Sequence, residues 1–137
     1  MKKSDMKNYM IVVNGYGDML LLLEGKDIDN DWFVVGTPTE EELDEDMSAV
    51  FYKEREFNDD LININDPIAS ITDVYDSIPL QFPFVLNVEN LYDKYKPELV
   101  WEREPSVISK SKLESFSSNK DVMTYISSIV PPYRIVE

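Results

Sequence analysis

The chain has no cysteine and no histidine among its 137 residues. Without cysteine there is no disulfide, no thiol nucleophile and no thiolate metal ligand. Without histidine there is no imidazole base, which excludes a serine–histidine triad and takes away the usual zinc ligands. Glycine is scarce. Gly15 and Gly17 do not make a phosphate loop, because no third glycine, no lysine and no helix start follows them. Long apolar runs are also lacking. Residues 9–13 and 19–23 are too short to cross a bilayer, and Asn14, Gly15, Gly17 and Asp18 break them up in a way that disfavours a signal peptide. A cytosolic protein is the expectation. Cations are few: 13 Lys and Arg face 27 Asp and Glu, a net charge of −14. Direct nucleic-acid binding is therefore disfavoured, since little here neutralises phosphates. An anionic membrane surface is disfavoured on the same ground.

What is present is a core and an excess of acid. A hydrophobic content of 43% with 12% aromatics supports one folded domain in spite of the charge. The acid is unevenly spread. Residues 18–60 hold 15 acids against 3 bases. Its centre is residues 38–60, PTEEELDEDMSAVFYKEREFNDD. Thr39 and Glu42 have the spacing of a capping box. Carboxylates in the first turn suit the positive end of a helix dipole. Leu43, Met47, Val50 and Phe51 make an apolar stripe at helical spacing. The spacing predicts a helix from Thr39. Its end is ambiguous, because residues 48–57 are rich enough in β-formers to be a strand. Residues 40–46 hold six acids and one leucine, more than capping uses.

The rest reads as an α+β chain. Residues 1–7 are a basic lead-in expected to be mobile, and residues 8–137 a single globular domain. Residues 9–13 and 19–23 flank Asn14-Gly15-Tyr16-Gly17, strong turn chemistry, and predict a β-hairpin. Neither run alternates, so both faces are expected to be covered. Residues 32–35 supply a third strand. Residues 61–65 read as a short fourth strand. Asp66-Pro67 then fits the start of a helix, with Ile68, Ile71, Val74, Tyr75 and Ile78 as its stripe. Residues 81–84 read as extended. Asn87 caps a helix whose Val88, Leu91, Tyr92 and Tyr95 face inward. Residues 99–101 read as a strand and 106–116 are ambiguous. Ser118 with Asp121 starts a further helix, ended by Pro131-Pro132, and residues 133–136 return as a strand. The fold class is thus α+β: an N-terminal antiparallel meander with several short helices packed on it.

No catalytic, metal or cofactor motif stands out. Asp27-Ile28-Asp29-Asn30-Asp31 begins like a calcium loop, but Trp32 and Pro38 occupy the positions that need glycine and glutamate. An acidic surface turn is the better reading, with a weak cation site as its rival. Paired-carboxylate hydrolysis needs a raised pKa in a cleft, and the acids here cluster where exposure is expected. Most aromatics fall at core spacing. Tyr16, at a turn tip, and Tyr52, beside the acidic stretch, are the candidates for exposure.

Two readings of function follow. The first is a non-enzymatic acidic protein that binds and inhibits a basic partner: a nuclease, a toxin or a nucleic-acid-processing complex. Its carboxylates would stand in for phosphates, as in immunity proteins and phage anti-defence inhibitors. The partner-binding residues expected are Asp27, Asp29, Asp31, Glu40, Glu41, Asp44, Glu45, Tyr52, Asp59 and Asp60. The second is a structural or assembly subunit of a phage particle or bacterial complex, joined through residues 79–86.

Overall fold

Alternation fails in the two N-terminal runs because both of their faces are buried. In the computed structural model, which describes residues 1–25, 31–36, 50–80 and 87–137, strand β1 (Ile11–Asn14) pairs antiparallel with β2 (Met19–Glu24), Ile11 opposite Leu21 and Val13 opposite Met19. The turn between them closes on Asn14. Its Oδ1 accepts from the Tyr16 and Asp18 amides at 3.0 and 3.1 Å, and Gly17 takes φ 83°. An asparagine side chain is suited to bridging backbone two and four residues on.

Strand β3 (Trp32–Gly36) pairs with β2, and β4 (Val50–Lys53) with β3. On the other side of β1 lies β5 (Ile71–Tyr75), then β6 (Leu99–Glu102). The six-stranded sheet runs β4-β3-β2-β1-β5-β6, all antiparallel. Met10, Val12, Leu20, Leu22, Trp32 and Val34 point to one face, where Met6, Phe57 and Leu61 cover them. Ile11 and Leu21 point to the other, beneath Ile78, Val88 and Leu91. Each such side chain stabilises the fold by about 1.5–3 kcal/mol on burial.

Helix α1 (Val88–Tyr95) covers that second face. Asn87 caps it, accepting from the Glu89 and Asn90 amides. Tyr92 meets Tyr75 edge-on with ring centres 5.0 Å apart. The chain leaves the helix at Lys96 in the left-handed region (φ 46°).

The remaining elements form a small unit of their own. Strand β7 (Ser106–Ser109), α2 (Lys110–Glu114), α3 (Asn119–Ser127) and β8 (Tyr133–Val136) follow in order. Ser118 caps α3 through the Asp121 amide at 3.2 Å. β7 and β8 pair in parallel, Ile108 beside Ile135. This unit meets the large sheet where buried Pro131 lies against Gly15.

Several expectations are corrected. Ile71, Val74 and Tyr75 do not form a helical stripe. Asp66 does cap a turn, accepting from the Ile68 amide, but the turn is one 3-10 turn (Pro67–Ala69) that passes into β5. Val50 and Phe51 belong to β4, so the strand alternative holds there and the helical spacing of those two residues does not. Residues 61–65 contribute one isolated bridge, Phe57 with Asn63. Residues 1–7 are tied down: Lys3–Asp5 form a 3-10 turn, the Lys3 amide donates to Asp59 O at 2.9 Å, and Met6 is buried. The expected helix start at Thr39 and the extended 81–84 stretch lie outside the described residues.

Gly15 is the joint between sheet and C-terminal unit. A Cβ there would overlap Pro131 Cγ and the Ile68 carbonyl, whereas a Cβ on Gly17 meets nothing within 4 Å. Gly15→Ala is expected to lower stability by about 1–3 kcal/mol. Gly17→Ala is expected to lower it by about 1 kcal/mol through its positive φ alone. Urea unfolding of both variants checks the order; equal losses would contradict it.

Candidate functional site

Four of the ten expected partner-binding residues lie in the described structure: Asp31, Tyr52, Asp59 and Asp60. Asp27, Asp29, Glu40, Glu41, Asp44 and Glu45 lie outside it, as do Phe82 and Phe84 of the alternative interface.

Asp59 and Asp60 are pushed outward by the turn that carries them. Asn58 Oδ1 accepts from the Asp60 and Ile62 amides at 2.9 and 3.1 Å. Leu61, at φ 64°, drops its side chain fully into the core. Asp60 is nevertheless engaged. Its carboxylate accepts from Lys2 Nζ at 2.6 Å, and its carbonyl accepts from Arg103 Nη2 at 2.7 Å. The Lys2 hydrogen bond and charge hold the Asp60 carboxyl below its usual range, and Asp60 raises Lys2 in return. Asp31, at the start of β3, faces Arg55 Nε at 3.5 Å. Two of the three described acids therefore have a cation of the same chain beside them.

Tyr52 is half-buried in β4, edge-on to Phe57 with ring centres 6.2 Å apart. The expectation of exposure is corrected: spacing hid its contact with the core. Burial is the main cause that raises its hydroxyl pKa, followed by the charges of Asp18 and Asp66. Of the two candidates Tyr16 is the exposed one, at 54%. Its hydroxyl donates to Asp66 Oδ2 at 2.6 Å. That bond, more than burial, pushes its pKa up to about 12.

The register divides the acidic tract in two. β3 begins beside Asp31 and ends at Gly36, which sits opposite Val50 and close to the Met19 carbonyl. A five-residue strand spans about 16 Å. The stretch with Asp27 and Asp29 joins the sheet at one end of β3. The stretch with Glu40, Glu41, Asp44 and Glu45 joins at the other, the end of the β1–β2 turn. At that second end the fold brings together Tyr16 and Asp66, with Asp18 following in the same turn. Asp18 and Asp66 were not singled out by sequence; Asp66 carried only the signal of a cap, and nothing local pairs it with a tyrosine 50 residues away.

At the first end lies a cleft of about 430 Å³, lined by Lys3, Met6, Glu24, Trp32 and Glu54 among others. Two carboxylates share it, and Glu24 Oε1 already accepts from the Asn8 amide at 3.2 Å. Sequence reading passed over the cleft because it unites the N-terminal turn with the far end of β2. Met6, buried in its lining, was its local signal. Among the described residues no group of three or more acids could hold a metal ion, and no helix is long and apolar enough to cross a membrane.

The Tyr16–Asp66 bond has a pH signature. The folded pKa lies above the ordinary 10.0, so its contribution is present below pH 10 and is lost as pH rises toward about 12. Tyr52, Tyr75 and Tyr133 are raised as well, so a tyrosinate absorbance titration is expected to lose the amplitude of one late tyrosine in Tyr16→Phe and to show that amplitude earlier in Asp66→Asn. The bond itself is exposed, and Tyr16→Phe is expected to change stability by about 1 kcal/mol or less. Late amplitude that is undiminished in Tyr16→Phe would contradict the assignment.

Comparison of the chain with protein-family models, with curated proteins and with solved structures finds no match.

Proposed function

We propose that this chain is a non-enzymatic acidic binding protein that blocks a basic partner, such as a nuclease, a toxin or a nucleic-acid-processing complex. One observation carries the reading. With 27 acids against 13 bases, at least 14 carboxylates have no cation under any internal pairing. Internal pairs use up cations as well: Lys2 is committed to Asp60, and Arg55 faces Asp31. A surplus of this size repels itself and lowers stability, and it raises encounter rates with a positive surface.

The face we propose is the β1–β2 turn end of the sheet. Tyr16 stands exposed there beside Asp18 and Asp66, and the stretch with Glu40, Glu41, Asp44 and Glu45 leaves from Gly36 and returns at Val50. An exposed tyrosine among carboxylates suits an interface anchor in a basic groove. Carboxylates spaced along that face would occupy the positions of phosphates, which is how an immunity protein or an anti-defence inhibitor of this kind would act. The proposed compartment is the cytosol.

A panel of small basic ribonucleases and deoxyribonucleases tests this. The expected result is stoichiometric inhibition of at least one of them. Association is expected to slow by on the order of ten- to a thousandfold as salt is raised. Reversal of Glu41, Asp44 and Glu45 to lysine is expected to abolish the inhibition, and Tyr16→Ala to weaken it by about tenfold or more. Inhibition that ignores salt and survives the reversal would overturn the proposal, as would a panel in which no enzyme is bound.

A further inference from the structure

The C-terminal unit differs from the rest of the molecule in charge and in coverage. Residues 106–137 hold 4 bases and 3 acids, whereas residues 1–105 hold 9 bases and 24 acids. All of the negative surplus therefore resides outside this unit. Its sheet has two strands only. Parallel strands are ordinarily covered on both faces, yet Val107 on β7 is 65% exposed and Ile135 on β8 is 61% exposed. The register puts these two on opposite faces, since Val107 lies beside Arg134 and Ile108 beside Ile135. Of the two strands β8 is the more open: Tyr133, Arg134 and Ile135 are all exposed, while β7 exposes Val107 alone. Among the described residues β8 has one neighbour, β7, so half of its backbone donors and acceptors face outward without a strand to meet them.

We infer that β8 is the self-association edge of this protein, pairing antiparallel with β8 of a second copy across a two-fold axis. The occupant follows from charge. Two copies that meet through residues 1–105 set acid against acid. The C-terminal unit is close to neutral and carries both signs, which is what a self-complementary two-fold contact requires. Two-fold pairing centred on Ile135 sets the two isoleucines across from each other and each Arg134 across from a Val136, so no like charges lie opposite one another. The result is a four-stranded sheet, β7-β8-β8-β7, with Ile135 covered at its centre. Strand addition of this kind draws its affinity from main-chain hydrogen bonds.

The inference goes beyond the proposed function and has a separate readout. Sedimentation equilibrium on the full chain, over a concentration series, is expected to show a monomer–dimer equilibrium. Raised salt is expected to tighten the dimer, because it screens repulsion between the acidic bodies. Ile135→Lys, a charge on the edge strand, is expected to give monomer while the circular dichroism of the sheet is retained. Hydrogen exchange on the unaltered protein is expected to protect amides within 133–136 only at concentrations that dimerise, a measurement that stands even if the variant misfolds. A monomer at every concentration would overturn the inference. So would a dimer that loosens in salt, which is the mark of acidic body against basic patch, or one that leaves the 133–136 amides unprotected.

Discussion

Strand β1 has no free side, and the fold is built on that constraint. It is paired along both edges, with β2 from the adjoining hairpin and with β5 some 60 residues later. Its Ile11 is buried against one layer and its Val12 against the other. Four surrounding parts of the chain close those sides. The N-terminal turn, Phe57 and Leu61 seal one face, α1 seals the second, and the Ile71–Tyr75 strand seals the far edge. Removing a side chain of the fully buried Leu20-Leu21-Leu22 run opens a cavity next to β1, with a loss of about 2–5 kcal/mol.

A core of this kind leaves charge no place but the surface, and here the charge has nearly one sign. Internal pairing relieves a little of it. Asp60 with Lys2 and Asp31 with Arg55 serve the fold, fixing the N-terminal turn and the start of β3. Among the described residues Asp5, Glu56 and Asp66 also hold backbone amides. Acids beyond those that cap turns and pair with cations add repulsion on the order of a few tenths of a kcal/mol per close like pair. That imbalance between what the fold uses and what the sequence carries is the physical ground on which the basic partner is proposed.

What could be read from sequence was what is local. The hairpin rests on Asn14 and Gly17, the cap of α1 on Asn87 and that of α3 on Ser118, and each is decided within four residues. Strand β5 shows where local reading fails. The register shift beside Val13 and Asn14 puts an extra residue into β5, so Ile71 and Val74, three apart, join one core cluster. A bulged strand thereby imitates helical spacing, and periodicity alone cannot separate the two. The parallel pairing of β7 with β8 spans about 27 residues, and no local pattern encodes it. The site was legible as composition and not as geometry. Sequence marked the acidic stretch, but the meeting of Tyr16 with Asp66 is a product of tertiary pairing.

The central claim is that the folded protein holds negative charge it cannot neutralise from within. Thermal unfolding of the free protein in sodium chloride tests this most directly, from about 10 mM to about 500 mM, where the Debye length shrinks from about 30 Å to about 4 Å. A surplus of at least 14 unpaired carboxylates predicts a Tm that climbs steadily across that range. A Tm that stays level or falls would mean that attraction outweighs repulsion in the folded state, and would contradict the account.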